Sequence, residues 1–488
     1  MSKPNQSGVA RYENVDESYL EKRKLKRSAG WILLWALGVG AVISGDFGGW
    51  NYGLQHGGFG GLAIGTLLMA VMYVCMVFTI AELSAALPHA GGFFSFTRCA
   101  FGPTGGFICG LTDTIEYVLT PAVIVYVIGG YMGKLFPGIP APVWWIAYYV
   151  VFVGINIRGV ELTLKVGLVV TLIALAVLVT FYVSVLAKGA FSRELLFVDS
   201  TGASVGILPN GWQGVFAALP FAMWFYLAIE QLPLAAEESH DAASDMPKAL
   251  ILGIATLLVL SLFTLVLNSG VGAGAGAIGE SDAPLGDGLE AVFGISPTSK
   301  AFTVIALTGL IASFHTIVYA YGRVLFALSR AGYIPRWISV TGRYHTPMTA
   351  LIVGAVIGLV CTIVLEITGG SGHVGAALLN MAVFGAVISY ALVMFSYIKL
   401  RISRPDLPRP YRSPLGIPGA VVGAVLSLTA LGATFTIEEY RPAVVGVALF
   451  VLMGVAYFGL YSRHRLVAQA PEEENALIAE AESELAHQ

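Results

Sequence analysis

Apolar runs of about 20 residues recur along this chain from Trp31 to Tyr461, and they constrain its fold more than any other feature. Each run is long enough to cross the ~30 Å hydrocarbon core of a bilayer as an α-helix. The chain is 56% hydrophobic and 12% charged, which is about half the charged fraction of an average soluble domain. Too few polar residues remain to coat a soluble protein, and the continuous runs do not alternate as barrel strands do. The sequence therefore predicts an all-α integral membrane protein.

We predict twelve membrane-spanning helices, numbered here in chain order. Their predicted bounds are 29–54, 59–87, 103–134, 142–157, 160–188, 211–235, 248–270, 300–331, 347–367, 374–401, 416–436 and 442–461. If the N-terminus is cytoplasmic, 22 of the 27 Lys and Arg residues lie at the two ends of the chain, in inner loops or in the inner halves of spans. This asymmetry follows the positive-inside rule and places both termini in the cytoplasm.

The two ends of the chain are predicted to be cytoplasmic segments. Residues 1–28 are polar and charged, and they lack the short apolar core and cleavage site of a secretory signal. Residues 463–488 form an acidic tail that we expect to be solvated. The four cysteines have no metal-ligand spacing, and a net charge of −3 does not indicate a nucleic-acid partner.

The first apolar run contains the stretch SGDFGG, residues 44–49, in which Asp46 stands among glycines. A charge at the bilayer centre costs about 2.5 kcal/mol or more, and irregular backbone at that depth is viable only where it lines a cavity. Helix 6 has a matching pattern of two prolines and an acid, Glu230. We therefore predict that helices 1 and 6 are broken near 43–49 and 224–229.

Paired interruptions in corresponding halves of a membrane protein indicate an inverted repeat with a ligand site between the breaks, near the midplane. The repeats would span about 29–188 and 211–401, with two further helices at 416–461. Together they form one membrane domain over 29–462.

Four motifs in the same order resemble the amino acid–polyamine–organocation superfamily of permeases. They read AELSAALPHAGGFFSFTRCAFGP, NIRGVELTLKVG, IEQLPLAAEESHDAASDMPKAL and YGRVLFALSRAGYIP. The resemblance covers roughly residues 28–465 and implies a LeuT-type 5+5 fold that works by alternating access. Within the superfamily, GVGAVISGDFGGWNYGL is most similar to the ethanolamine permease branch.

The acid in the first break bears on the substrate. Amino acid permeases usually have a glycine-rich break there without an acid, and its amides receive the substrate carboxylate. A helix N-terminus favours an anion, whereas Asp46 repels a carboxylate and attracts an ammonium group. Ethanolamine has an amine and a hydroxyl group but no carboxylate, so the residue and the resemblance agree.

The predicted substrate-binding residues come from helices 1, 3 and 6. Glu116 of helix 3 matches a superfamily position that faces the central site, and pairing inside the helix bundle without a ligand is the alternative. Asp113 lies one turn nearer the cytoplasm. Aromatic side chains of helix 6 can hold an ammonium group by cation–π attraction, worth ~2 kcal/mol when desolvated. The full set is Ser44, Gly45, Asp46, Phe47, Glu116, Trp224, Phe225, Tyr226 and Ala228.

Two further residues are candidates for proton relay or gating. Glu230 resembles an acid just past the helix 6 break that has such a role in relatives, and a structural helix cap is the alternative. His315 of helix 8 is a histidine at membrane depth, and a neutral packed histidine is the alternative.

The prediction is a secondary transporter of the bacterial inner membrane that imports a small amine, most simply ethanolamine. An amino acid or polyamine permease of the same fold is the first alternative, and a non-transporting membrane amine sensor is the second. No nucleophile–base pair, metal cluster or cofactor motif indicates an enzyme. Coupling to H⁺ or Na⁺ is open. Some proton-coupled members of the superfamily have a lysine in helix 5 where sodium-coupled members bind the ion, whereas Lys165 lies nearer the cytoplasmic end of that helix. The oligomeric state is open as well.

Overall fold

The computed structural model describes residues 6–7, 10–296, 299–367, 373–435, 437–474 and 476–478. Within these ranges, ten helices are long and apolar enough to span a membrane, and two shorter apolar helices, Trp31–Phe47 and Ala141–Ile157, bring the number to twelve. The three strands Gln6–Ser7, Ala10–Glu13 and Leu466–Val467, here β1 to β3, are two to four residues long. The predicted all-α membrane fold is confirmed.

The observed helices follow the predicted spans closely. In chain order their bounds are Trp31–Val42 with Ser44–Phe47 (helix 1), Tyr52–Ala86, Phe93–Leu135, Ala141–Ile157, Val160–Ala187, Gly211–Ala222 with Met223–Phe225 and Ile229–Glu238 (helix 6), Ala242–Phe263 with Thr264–Asn268 (helix 7), Lys300–Arg330, Met348–Ile367, His373–Ser403, Gly416–Thr434 and Arg441–Leu460 (helix 12).

Helices 2 and 3 begin earlier than predicted, but each contains a sharp turn at the expected start. Gly58 has φ +63° and Gly102 has φ +74°, a left-handed region that glycine enters without steric cost. The membrane-crossing parts of these helices therefore begin at residues 59 and 103, as the sequence indicates.

Helices 1 and 6 are both broken, as predicted. Helix 1 stops at Val42, continues as the single turn Ser44–Phe47, and leaves the helical path until Tyr52. Helix 6 stops being α-helical after Ala222 and resumes as a tighter helix only at Ile229. In both cases the regular α-helix is interrupted, a feature typical of ligand sites in membrane proteins.

Both ends of the chain pack on one face of the molecule, here called the terminal face. Strand β2 pairs in parallel with β3, with Tyr12 opposite Leu466. The short helix Glu17–Glu21 lies nearby, and its Tyr19 hydroxyl donates to the carbonyl of Arg330 at the end of helix 8 (2.9 Å). The terminal face corresponds to the predicted cytoplasmic side.

The expectation of a solvated tail is wrong for residues 466–474. Leu466, Val467 and Ala470 are buried in the core, and Glu472 and Glu473 have no exposed surface. Arginines of the membrane domain form ion pairs with both glutamates, and these pairs explain how two acidic side chains can be buried. Residues 475 and 479–488 of the predicted tail lie outside the described residues.

The opposite face is covered by short helices between the main spans. Ala275–Glu280 and Pro284–Phe293 follow helix 7. The Asn51 side chain, just after the helix 1 break, donates to the carbonyls of Ile278 and Ser281 at 2.9 Å each. This cover is therefore tied directly to the broken helix.

Candidate functional site

The two helix breaks touch each other in the middle of the molecule. A methyl group at Gly45 would overlap the carbonyl oxygen of Trp224, and one at Gly49 would lie 3.3 Å from the Trp224 indole. Trp50 stacks on Phe225 with ring centroids 5.4 Å apart. Glycine at position 45 is therefore required for this close approach of helix 1 to helix 6.

The helix 6 break is held by an unusual backbone turn. Ala228 has φ +84°, a left-handed conformation that costs an alanine ~1–2 kcal/mol. Its N–H group donates to the Glu230 carboxylate at 2.9 Å. The Glu230 side chain thus caps the start of the second half of its own helix. Strained positions of this kind cluster at ligand sites.

A cavity of about 30 Å³ lies against both breaks. Its volume allows about two water molecules, since one needs roughly 10–15 Å³. Five predicted binding residues form part of its wall, namely Ser44, Gly45, Glu116, Trp224 and Ala228. The wall also contains Ala41, Val42, Tyr117, Thr120, Ile124, Leu227 and Ile317. None of these described lining residues is basic.

Glu116 is the one acid on the cavity wall, and it is 1% exposed. Neither of its carboxyl oxygens has a partner with hydrogen-bond geometry among the described residues. The Glu230 carboxyl is a close neighbour, near enough for the two acids to interact electrostatically and to share a proton. A buried, ionised carboxylate without a cationic partner is unfavourable by several kcal/mol, so Glu116 is either protonated or bound to a cation.

Glu230 is fixed by tyrosines from two other helices. Its Oε1 accepts a hydrogen bond from the Tyr390 hydroxyl of helix 10 at 2.6 Å. The Tyr73 hydroxyl of helix 2 donates to Tyr390 at 3.2 Å. Neither tyrosine was singled out from the sequence, and the only signal is a polar pair, Ser389 and Tyr390, within an apolar run.

Asp46 lies on the other side of the helix 1 break. Its Oδ1 accepts from the Thr264 hydroxyl of helix 7 at 2.8 Å, and Thr264 in turn contacts the Tyr182 hydroxyl of helix 5 at 2.5 Å. Asp46 is fully buried and is not on the cavity wall. The structure therefore does not bring Asp46 and Glu116 together, and direct binding of a ligand by Asp46 stays a prediction.

Three other predicted binding residues pack away from the cavity wall. The Tyr226 hydroxyl is 2.9 Å from that of Ser261 on helix 7. Phe225 stacks on Trp50, and Phe47 packs against Gly309 of helix 8. Each of these side chains packs against a neighbouring residue or helix and not against the cavity.

His315 and Asp113 are buried but do not line the cavity. The Nε2 atom of His315 is 2.8 Å from the carbonyl oxygen of Thr163 on helix 5, and the ring packs against Phe152 of helix 4. Asp113 lies one turn from Glu116 on helix 3 and is 2% exposed. A proton-relay role for His315 stays a prediction.

Residues 30–460 match the sequence profile of a family described as amino acid permease. The match covers most of the chain, including both breaks and the cavity.

The chain belongs to the amino acid permease family.

It is similar to curated proteins from several bacteria. An uncharacterized transporter of Rhizobium meliloti is 27% identical over 428 residues, covering 85% of this chain and 88% of that protein. The branched-chain amino acid permease BcaP of Bacillus subtilis is 25% identical, covering 91% and 94%. The aromatic amino acid transport protein AroP of Salmonella typhimurium is also 25% identical, covering 89% and 95%.

This membership confirms part of the sequence interpretation. The protein is a multi-pass membrane permease of the predicted superfamily, and its cavity between the two breaks is the candidate site for a small molecule. The relatives named above have amino acid rather than ethanolamine names. The narrower resemblance to ethanolamine permeases therefore stays a prediction.

Proposed function

We propose that this permease imports a small primary amine, with ethanolamine as the leading candidate, by alternating access to the cavity between its two broken helices. The observation that carries the proposal is Glu116. Its carboxyl is buried on the cavity wall beside the carboxyl of Glu230 and faces no basic side chain among the described lining residues.

Charge balance favours a cation over a zwitterion. Asp46, Glu116 and Glu230 are all at most 1% exposed, and the ion pairs of the described chain that involve buried arginines lie at the terminal face. An ammonium ion compensates one negative charge in this region, whereas an amino acid adds a second negative group with its positive one. Burial of uncompensated charge is costly, so the amine is the better fit.

The cavity also offers shape and an aromatic surface. A volume of about 30 Å³ in this closed conformation suits a ligand of only a few heavy atoms. Trp224 lies on the wall, where its indole can attract the ammonium group by a cation–π interaction of ~2 kcal/mol. Ser44 also lies on the wall, where its hydroxyl can hydrogen-bond a hydroxyl group of the substrate.

The membrane potential can drive uptake of such a cation. If the empty site returns without a proton on Glu116, a potential of about 100 mV contributes ~2.3 kcal/mol per charge, nearly fifty-fold accumulation; a proton carried back on Glu116 would make the cycle electroneutral. Glu116 binds the amine as a carboxylate, so external acid competes by protonating it, and uptake falls as the pH drops. Assays with and without Na⁺ decide between the two coupling ions that the sequence leaves open.

Amino acid transport is the second candidate, and the relatives favour it. BcaP and AroP are named for branched-chain and aromatic amino acids. In that case backbone N–H groups of the helix 1 break would bind the substrate carboxylate, and Glu116 would still bind its ammonium group.

The test is uptake of labelled ethanolamine into proteoliposomes, with unlabelled competitors and a Glu116→Gln variant. We expect Glu116→Gln to lose ~1.5–3 kcal/mol of amine binding, roughly ten- to hundred-fold in affinity. Asp113→Asn is the matched control, because Asp113 is an equally buried acid one turn away and off the cavity wall.

Three results would decide against parts of this proposal. Unchanged ethanolamine affinity in Glu116→Gln would remove Glu116 as the ammonium site. Competition by leucine or phenylalanine without competition by ethanolamine would favour the amino acid alternative. Binding without flux would indicate a sensor.

A further inference from the structure

The C-terminal segment 466–474, here called the tail segment, returns to the membrane domain and packs under it. It starts as strand β3 beside β2, and the carbonyl of Glu13 accepts a hydrogen bond from the N–H of Ala468 at 3.3 Å. A helical turn follows at residues 471–474. This turn places two consecutive glutamates under the arginines of the terminal face.

Glu473 occupies a fully buried site made by three other segments. Its Oε2 accepts from Arg98 at 2.7 Å and from the Tyr12 hydroxyl at 3.0 Å. Its Oε1 accepts from the Tyr333 hydroxyl at 2.7 Å. Arg98 itself is 1% exposed and belongs to the segment 93–101 that precedes the membrane-crossing part of helix 3.

Glu472 binds a second arginine that is already shared. Arg330, the last residue of helix 8, is 2.6 Å from Glu472 and 2.6 Å from Glu237 near the end of helix 6. The Arg330 guanidinium group therefore joins the tail segment to the second half of helix 6, Ile229–Glu238. The next residue, Glu474, is exposed, so only two of the three consecutive glutamates engage the domain.

The end of helix 6, the segment before helix 1 and the end of helix 8 contact one another at the terminal face. The carbonyl of Glu238, the last residue of helix 6, accepts from the N–H groups of Ser28 and Ala29 just before helix 1. The Glu238 carboxylate pairs with Arg323 of helix 8 at 2.8 Å. In alternating access the two broken helices move against the surrounding bundle, so these contacts must separate before the cavity opens at the terminal face.

We propose that the tail segment is an internal ligand of the permease, whose Glu472–Glu473 pair binds Arg330 and Arg98 and latches the terminal face closed. The latch acts on the equilibrium between the closed and open terminal face and makes no contact with the substrate. It is therefore independent of whether the substrate is an amine or an amino acid.

A purely structural tail makes a different prediction from a latch. Loss of a structural contact lowers stability and transport together. Loss of a latch lets the terminal face open more often, because a contact present only in the closed state shifts the equilibrium by its differential stability. Access to the cavity from that face then rises in a protein that is still folded.

The experiment compares Glu473→Gln and Glu472→Gln with Glu474→Gln in the full-length chain. Each change is placed in a cysteine-free background that carries Leu227→Cys on the cavity wall. A membrane-impermeant thiol reagent is applied to the face that carries the termini, in oriented vesicles. We expect labelling roughly five-fold faster or more in Glu473→Gln, within the usual range of such coupling, and unchanged labelling in Glu474→Gln.

The graded variant makes the result decisive. Glu472→Gln leaves Arg330 paired with Glu237, so its labelling should increase less than that of Glu473→Gln. Unchanged labelling in both variants, or a fall in thermal stability without faster labelling, overturns the latch. Faster labelling in protein that thermal unfolding shows to be still folded supports it, with the Leu227→Cys background as the reference.

Discussion

Buried acids occupy two regions of this permease, and the regions differ in what surrounds the acids. Around the helix breaks, Asp46 and Glu116 are buried without a basic partner among the described residues. At the terminal face, Glu238 pairs with Arg323 and Glu473 with Arg98.

The contrast indicates that the two groups of acids have different roles. A buried acid whose charge is balanced by an arginine stabilises one packing arrangement. A buried acid without a basic partner is stable only when it binds a cation, which is either a proton or a positively charged ligand. The proposed latch therefore belongs to the region of paired acids, and the proposed ammonium site belongs to the region of unpaired acids.

The largest expected effect separates the two kinds of acid by stability. Glu238→Gln leaves Arg323 buried and uncompensated, so it should lower the free energy of unfolding by ~3–5 kcal/mol. Glu116→Gln removes an unpaired charge and should leave stability unchanged or raised. Thermal unfolding in detergent measures both. Equal losses in the two variants would erase the distinction between the regions.

The next expected effect concerns the contact between the two breaks. Gly45→Ala introduces a methyl group that overlaps the Trp224 carbonyl. Overpacking of this kind costs ~1–3 kcal/mol, here in the closed conformation, so transport should fall by roughly ten-fold. Gly130→Ala on helix 3 is the control, since a methyl group there meets no atom within 4 Å. Wild-type transport by Gly45→Ala would show that the close approach is dispensable.

Tyr390 tests whether the Glu230 network belongs to the central region. Tyr390→Phe removes the 2.6 Å hydrogen bond to Glu230 and leaves the ring in place. The expected cost is ~0.5–1.5 kcal/mol, seen as a several-fold change in the transport rate and in its pH profile. A loss of stability with an unchanged pH profile would assign the tyrosine to packing alone.

Much of the backbone was predictable because its determinants are local. Apolar length defines the twelve spans, glycines mark the turns at Gly58 and Gly102, and the SGDFGG stretch marks the first break. These rules require no knowledge of distant neighbours, which is why the predicted spans match the observed helices apart from the earlier starts of helices 2 and 3.

The side-chain environment was less predictable because it depends on long-range contacts. Tyr390 lies 160 residues from Glu230, and Arg98 lies 375 residues from Glu473. An acidic tail and a scatter of inner arginines give no pairing pattern in the sequence, so the solvated tail was the wrong expectation. The left-handed turn at Ala228 was also missed, since glycine is the usual residue there.

The direction of the Asp46 side chain was harder to predict than the break itself. Its substitution gives the smallest expected effect on amine binding and the most specific test. Neighbouring positions in a helical turn face different ways, so within Ser44–Phe47 the cavity wall includes Ser44 and Gly45, whereas Asp46 faces Thr264. Asp46→Asn keeps a hydrogen-bond acceptor for Thr264, and the variant should lose only ~1 kcal/mol of amine binding, about five-fold. Glu116→Gln, measured beside it, should lose more. A ten- to hundred-fold loss in Asp46→Asn with a small loss in Glu116→Gln would reverse the assignment and make Asp46 the ammonium ligand. Because both side chains are buried acids on opposite sides of the same break, the ratio of the two losses reports which side the substrate occupies.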